Sequence, residues 1–464
     1  MTRVAVLGGG PGGYEAALVA AQLGAEVLVV DRDGLGGACV LADCVPSKTL
    51  IATSESMTTF ACSEPLGVRL HSGARTEDEV TVDLAVVNAR VKALALAQSL
   101  DITRRVAREG VQVVRGTGRL VGPHRLAIAA DGETQEYDAD VVLIATGGSP
   151  RVLPGAEPDG ERILSWQQLY DLPTLPEHLV VVGSGVTGAE FASAYQALGS
   201  QVTLVSSRDR VMPSEDAEAA LLLEDVFTRR GMQIAKRSRA AGISRTADGV
   251  VVKLEDGGTV EGSHCLVAVG SVPNTGNLGL EDVGVLTDER GYVAVDRVSR
   301  TSVPGVYAAG DCTGVLLLAS VAVMQGRIAM WHALGDAVAP LRLAHVAANV
   351  FTDPEIATVG IGQVSAEGSR GAVREVKLPL GTNPRAKMQG VLDGFVKLFC
   401  RAGTGIVVGG VVVAPRASEL ILPVSLAVQN SLTVDQLAHT FTIYPSISGS
   451  ITEAARQLHL AGQG

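Results

Sequence analysis

Aromatic side chains are scarce. Phe, Tyr and Trp together make up 3% of 464 residues, which argues against stacking platforms for bases or sugars. Positive charge is also short, with 38 Lys and Arg against 49 Asp and Glu, a net of −11. That balance excludes a general nucleic-acid binder. No run of about 18 apolar residues is free of charges or turn residues, so no spanning helix and no integral membrane contact are expected. No secretory leader is apparent, because the first apolar stretch passes straight into glycines. Six cysteines are too few for a secreted disulfide framework in a chain of this length. A reducing cytoplasm is the expected setting, where a disulfide is catalytic or redox-sensing. No paired Cys/His spacing suggests a metal site. What is abundant is glycine, 54 of 464 residues or about 12%, against a usual ~7%. No collagen-like period accounts for the excess, which points to tight turns and close backbone approach to ligands.

Residues 3–7 read as a short buried strand, 8–13 as a glycine turn, 14–23 as a helix and 25–30 as a second strand. The same unit recurs 175 residues later: strand 178–182, turn 183–188, helix 189–198, strand 201–205. Two dinucleotide-binding units in one chain are therefore predicted. Residues 88–109 read as a long surface helix, and 142–144 and 266–269 as buried strands running into glycines. A Pro/Gly-rich linker is placed at 153–159. After about residue 345, strands alternate with polar turns and give way to two helical stretches. The expected fold class is α/β: two Rossmann-like dinucleotide-binding domains and a C-terminal α+β domain. The expected boundaries are 1–150 and 276–344 for the two parts of the first domain, 151–275 for the second and 345–464 for the last.

Gly8-x-Gly10-x-x-Gly13 sits between strand and helix, with Asp31 about 20 residues on. The first glycine makes the turn, the second admits a pyrophosphate and the third lets helix and strand pack. Asp31 is then the acceptor for a ribose hydroxyl. Gly183-x-Gly185-x-x-Gly188 repeats the pattern, but Ser206, Ser207 and Arg208 occupy the region where an acid grips the ribose of NAD. Loss of the acid removes a clash with a 2′-phosphate, and Arg208 can pair with one. NADPH is expected to be accepted, with NADH as a further possibility.

The segment Gly36-Gly37-Ala38-Cys39-Val40-Leu41-Ala42-Asp43-Cys44-Val45-Pro46-Ser47-Lys48 follows the first unit. Two thiols five residues apart at a helix start can form a short redox loop. The helix dipole and Lys48 are expected to lower the pKa of Cys44. Two buried structural thiols are the plainer alternative.

This segment resembles the GGTCxNxGCxPSK signature of the pyridine nucleotide–disulfide oxidoreductases, the class I flavoprotein disulfide reductases. The likeness runs nearly end to end. Residues 301–311, ending Ala308-Ala309-Gly310-Asp311, are similar to the family's second FAD motif. Phe351-Thr352-Asp353-Pro354-Glu355-Ile356 resembles the opening of its dimerisation domain. The resemblance implies a glutathione reductase-like fold, FAD in the first domain, NADPH or NADH in the second, and a homodimer. It implies that Gly37, Thr146, Gly147, Gly310 and Asp311 join Gly8, Gly10, Gly13, Asp31 and Lys48 around FAD, with Asp311 on the ribityl chain. Gly183, Gly185, Gly188, Glu190 and Gly270 would join Ser206, Ser207 and Arg208 around NAD(P)H. Lys48 and Glu190 would pair beside the flavin N5. Cys44 would face the flavin and Cys39 the substrate.

One departure matters. The family's disulfide reductases carry His-Pro-x-x-x-Glu near the C-terminus, and here that stretch is Tyr444-Pro445-Ser446-Ile447-Ser448-Gly449. Glu453 belongs to the next helical turn and is no substitute. Reducing a disulfide releases a thiolate that a nearby acid must protonate. Imidazole titrates near ~6.5 and a phenol near ~10. Losing a matched acid–base group costs about 10²–10⁴ in rate. Poor lipoamide reduction is therefore expected, whereas a quinone can take its protons from water. The chain also resembles an actinobacterial branch of NAD(P)H:quinone dehydrogenases. The expected activity is FAD-dependent reduction of quinone-like acceptors by NAD(P)H, with Cys39, Cys44, Lys48, Glu190 and Tyr444 at the centre. A dithiol–disulfide reductase using Cys39 and Cys44 is the main alternative. Mercuric reductase resembles the chain in its cysteines and tyrosine, but the C-terminal residues 457–464 hold no thiol pair. A transhydrogenase stays open as well.

Overall fold

The structure is a computed structural model and describes residues 1–72, 79–362 and 371–460. It divides into two compact units. The first comprises Met1–Thr49, Asn88–Arg151 and Gly270–Arg342, and the second Leu50–Val87, Val152–Val269 and Leu343–Gly464.

The first unit is built on a five-stranded parallel sheet. Its order is Val306–Ala308, Val141–Ile144, Arg3–Leu7, Glu26–Asp31, Gln112–Arg115. The inner strands are almost wholly apolar because both faces are covered, as parallel sheets require. The helix Pro11–Gln22 crosses between Arg3–Leu7 and Glu26–Asp31 and begins with a proline, whose missing N–H costs nothing in a first turn. It starts three residues earlier than the apolar pattern suggests, because Gly12 and Gly13 form its first turn rather than the loop. Its outer side packs on the helix Ala319–Ala333. A Cβ on Gly326 would lie 2.1 Å from the Gly12 carbonyl oxygen, so the two backbones touch. A three-stranded meander, Thr117–Gly122, Arg125–Ala130 and Glu133–Asp138, covers part of the other face.

The second unit contains the repeat. Its parallel sheet runs Gln233–Ala235, Gln201–Val205, His178–Val182, His264–Val267, Ile163–Leu164. The helix Val186–Leu198 makes the equivalent crossover and stops at Gly199 in the left-handed conformation. The same unit holds a five-stranded antiparallel sheet in the order Ala347–Val350, Glu355–Gly360, Val407–Ala414, Phe395–Arg401, Val373–Pro379. Helices Leu422–Gln429 and Gly449–Leu460 bury their apolar faces against it. The helical part is more broken than two stretches, with the short helices Ala417–Leu420 and Val434–Ala438 interposed. Lys397 lies wholly buried in this sheet, and it reaches Asp216 at 2.8 Å and Glu218 at 2.7 Å at the start of the helix Ala217–Arg229. An unpaired ammonium there would be strongly destabilising, so the two carboxylates are a condition of the packing. The long helix expected at 88–109 is Leu84–Arg108. The terminal residues 461–464, read above for their lack of a thiol, lie outside the described residues. Among the described residues no helix is long and apolar enough to cross a membrane.

The contact between Gly12 and Gly326 gives a stability test. Gly326→Ala should cost about 1–3 kcal/mol by overpacking, read by urea unfolding. Gly276→Ala, where a Cβ meets nothing within 4 Å, should stay within about 0.5 kcal/mol of the parent.

Candidate active site

The two glycine turns are built on the same close backbone approaches. Gly8, with φ of 101°, leaves the central strand, and its N–H donates to the Val30 carbonyl at 2.9 Å. A Cβ there would stand 2.3 Å from the Ala145 oxygen, and one on Gly13 would stand 1.9 Å from the Gly8 oxygen. In the second turn Gly183, with φ of 114°, meets Ala268 O at 2.2 Å by the same measure, and Gly188 meets Gly183 O at 1.8 Å. By contrast Gly10 and Gly185, the helix caps, have nothing within 4 Å. Each turn is therefore closed on the protein side and open on the other. Each lies at the carboxyl end of a central strand, beside a helix N-terminus that favours anions.

In the first unit several predicted residues converge on this opening. The Gly36 N–H donates to Gly9 O at 2.8 Å, and a Cβ on Gly37 would lie 2.8 Å from the Gly10 Cα, so the thiol segment docks directly on the glycine turn. Thr146 and Gly147 are held by Asn274: the Thr146 hydroxyl donates to its carbonyl at 2.7 Å, its side-chain amide donates to Thr146 O at 3.0 Å, and its N–H donates to Gly147 O at 2.9 Å. Gly310 N–H donates to the buried Gln325 at 2.8 Å, which orients the turn carrying Asp311. Sequence reasoning missed Asn274 and Gln325, since each acts on a segment remote in the chain. Asp31, expected to accept from a ribose hydroxyl, is already engaged by backbone donors. Its Oδ2 accepts from Gly9 N–H at 2.6 Å, and its Oδ1 accepts from Asp33 and Gly34 N–H at 2.9 and 2.7 Å. Three of its roughly four acceptor sites are taken by backbone N–H groups, one from the glycine turn and two from its own loop.

Cys39 ends up in the short helix Gly37–Leu41, and Cys44 opens the helix Cys44–Ala61. Both are free thiols, and they hydrogen-bond to each other. That bond draws the Cys39 thiol below its ordinary range. Burial and the carboxylates of Asp43 and Asp311 oppose it, and Lys48 adds a smaller pull in the same downward direction. The same bond pushes Cys44 up, and burial and Asp43 add to the rise. This reverses the expectation for Cys44: Lys48 does lower it, but as the weakest of the contributions. Asp43, immediately before Cys44, went unread as a sequence signal. Burial, with the nearby Asp43 carboxylate, also pushes Asp311 up to about 6.

The remaining predicted residues lie in the second unit, apart from Gly270, which opens the last segment of the first unit and accepts from Arg151 N–H at 2.9 Å. Glu190 is buried on the helix Val186–Leu198, and its Oε1 accepts from Phe351 N–H at 2.9 Å. Ser206 is wholly buried; its hydroxyl bonds to Ser184 at 2.7 Å and accepts from Arg208 N–H at 3.2 Å. It shapes the turn, while Ser207 and Arg208 are exposed. Tyr444 is 84% exposed, on a loop with the equally exposed Phe441 and Ile443. Beside it is a cavity of about 600 Å³ whose lining includes Asn383, Tyr444, Gly449, Glu453 and Arg456. Glu453 is not poised for proton exchange. Arg456 grips both its oxygens at 2.7 Å, and this ion pair holds its carboxyl below the usual range.

With this arrangement in view, the comparisons with known proteins are decisive. Residues 2–326 match the model for pyridine nucleotide-disulphide oxidoreductases, and residues 346–455 match the dimerisation domain of the same family. The chain belongs to this family. It is 58% identical to a Mycobacterium tuberculosis protein named NAD(P)H dehydrogenase (quinone), covering 99% of this chain and 94% of that one. It is 34% identical to the dihydrolipoyl dehydrogenase of Chlorobaculum tepidum, covering 97% and 96%. The crystal structure of LpdA from Mycobacterium tuberculosis matches with a TM-score of 0.94 at 57% identity, over 99% of this chain and 100% of that one. The HOCl-induced flavoprotein disulfide reductase RclA of Escherichia coli shares the fold, with a TM-score of 0.86 at 24% identity over 98% and 99%. The pyridine nucleotide-disulphide oxidoreductases use FAD and NAD(P)H, and this chain is an oxidoreductase of that kind. The residues present fit both groups. The two turns offer open glycines at helix N-termini, and the crevice beside Gly10 and Gly147 is clear of side chains at both glycines.

The raised Asp311 carboxyl sets a pH-dependent stability. In the folded chain it binds its proton more tightly than in the unfolded chain. Its effect is neutral below the ordinary carboxylate range and becomes destabilising as pH rises to about 6. In FAD-free protein Asp311→Asn should therefore raise stability by about 2 kcal/mol above pH 6, and the gain should fade towards pH 4. Thermal melts at both pH values check this; an equal difference at both would contradict it.

Proposed function

We propose that the protein is a homodimeric FAD enzyme that reduces quinone-like acceptors with NADPH or NADH. The observation that carries the reading is the loop at 444–449. A phenol and a bare glycine stand where a disulfide reductase needs an acid pair, and Glu453 is locked to Arg456. The likeness to a protein named NAD(P)H dehydrogenase (quinone) supports the same acceptor class.

In this reading Gly8, Gly10, Gly13, Gly37, Thr146, Gly147, Gly310 and Asp311 hold FAD, with the remaining acceptor site of Asp31 left for a ribose hydroxyl. Gly183, Gly185, Gly188, Gly270, Ser207 and Arg208 hold the nicotinamide nucleotide, and Arg208 takes a 2′-phosphate. Ser206 contributes through the turn it closes. Lys48 and Glu190 are assigned to the flavin N5 region. The domains follow the boundaries 1–150, 151–275, 276–344 and 345–464. FAD supplies the hydride chemistry when bound. The protein's part is to orient the nucleotide and leave an acceptor site open. The balance is NAD(P)H, one proton and quinone giving NAD(P)⁺ and hydroquinone, so no thiolate has to be protonated. Exposed Phe441, Ile443 and Tyr444 are the apolar surface expected of a subunit contact.

A second reading has its own support. The hydrogen-bonded Cys39–Cys44 pair is able to cycle as a disulfide, and relatives at 34% identity are dihydrolipoyl dehydrogenases. The double variant Cys39→Ser, Cys44→Ser separates the two. Quinone reduction should persist within a few-fold of the parent. Activity lost while FAD stays bound would instead make the thiols the electron relay.

A further inference from the structure

Arg208 stands at the end of one strand, and the fold brings a second basic segment up to it. Lys236-Arg237-Ser238-Arg239 follows directly on the strand Gln233–Ala235, which pairs in parallel with Gln201–Val205. Parallel strands end on the same edge of a sheet, so the loops 206–210 and 236–239 leave it side by side. Their backbones are tied together. Ser206 N–H donates to Ala235 O at 2.8 Å, Ser238 N–H to Ser206 O at 2.8 Å, and Arg237 N–H to Arg208 O at 3.1 Å. The first loop is in turn fixed to the second glycine turn at two points. The Ser206 and Ser184 hydroxyls bond at 2.7 Å, and Met212 N–H donates to Ser184 O at 2.9 Å. Both arginines are therefore carried on backbone anchored to the turn that holds Gly183 and Gly185.

The basic residues of the two loops are not equally committed. Lys236 pairs with the buried Glu224, and Arg210 donates to Pro213 O at 3.3 Å. Arg239 faces Glu255 at 3.7 Å. Arg208 is exposed, and among the described residues only its backbone is engaged. Arg237 pairs with Asp209, the residue after Arg208, and the two side chains are 78% and 73% exposed. An ion pair in that much water is weak and is readily exchanged for a stronger anion. Arg237 also takes a φ of 54°, in the left-handed region that favours glycine. Such backbone persists where its surroundings over-determine it, and it concentrates at ligand clamps.

We propose that Arg237 is a second ligand of the 2′-phosphate of NADPH, exchanging Asp209 for the phosphate, and that Asp209 sets the balance between NADPH and NADH by competing for it. A phosphate presents three acceptor oxygens, which suits two planar guanidinium groups approaching from neighbouring loops. With NADH no phosphate enters, and the Asp209–Arg237 pair stays closed. Neither arginine is then left buried without a partner, so one site takes both nucleotides. The inference rests on the assignment of the nucleotide to the second glycine turn and of its 2′-phosphate to Arg208.

The test is calorimetric binding of adenosine 2′,5′-bisphosphate and adenosine 5′-monophosphate to FAD-loaded protein at fixed ionic strength. The two ligands differ only in the 2′-phosphate. Arg237→Gln should weaken the bisphosphate about tenfold or more, as loss of a charge-assisted bond requires, and leave the monophosphate unchanged. Arg237→Lys should recover part of the loss, since it restores the charge without the planar fork. Asp209→Asn should tighten the bisphosphate alone, by a few-fold. Arg239→Gln removes the same charge from the same segment and should bind as the parent does. The KM for NADPH relative to that for NADH should move in the same directions. Bisphosphate binding by Arg237→Gln as tight as the parent's would overturn the inference. So would an equal loss in Arg239→Gln, which would reduce the effect to the general field. Arg208→Gln, run in parallel, keeps the underlying reading separate. Weakening there with Arg237→Gln unaffected removes only the second ligand. A parent that binds the bisphosphate no better than the monophosphate removes the 2′-phosphate site itself, and the inference with it.

Discussion

Four carbonyl oxygens leave no space for a side chain, and the molecule is arranged around them. Ala145 O closes on Gly8, Gly8 O on Gly13, Ala268 O on Gly183 and Gly183 O on Gly188. In each unit a strand, a turn and a helix meet with backbone against backbone. That contact sets the depth of the crevice at the strand ends and the direction of the helix N-terminus. It also determines which glycines stay open. Gly10 and Gly185 face empty space because their neighbours are packed so tightly. Two nucleotide sites in one chain follow from using the same constraint twice.

Around the first crevice the protein adds charge rather than apolar surface. The thiol segment docks on the glycine turn through Gly36 and Gly37, so the helix bearing Cys44 is fixed relative to the opening. Two carboxylates act on Cys39 there: Asp43 from the same segment, and Asp311 from a turn held by Gln325. One cation, Lys48, opposes them. The loop at 444–449 lacks an acid pair that would receive a thiolate's charge. The missing acid pair disfavours sulfur as the final carrier of electrons.

Local pattern carried far in this chain. Both β-turn-α-β units, the residues of both glycine turns and the strands 178–182 and 201–205 could be read directly, because period, glycine spacing and apolar runs are short-range signals. The helix starts were read late, because a glycine in a first turn looks like a loop until its hydrogen bonds are known. Side-chain roles were less legible. Asp31 and Ser206 were read as ligand contacts, and each closes its own turn by accepting from backbone N–H groups. The direction of the Cys44 shift came out opposite to expectation because the neighbouring thiol outweighs Lys48. Asn274 and Gln325 position segments more than ten residues away in the chain, where no motif points.

The account stands on the acceptor. The direct measurement is NADPH oxidation by the FAD-loaded enzyme with a naphthoquinone and with lipoamide, in parallel at the same pH. Fast quinone turnover with lipoamide slower by about two orders of magnitude or more is what the missing acid–base pair predicts. Lipoamide turnover as fast as quinone turnover would contradict it and would place Cys39 and Cys44 at the centre of the reaction.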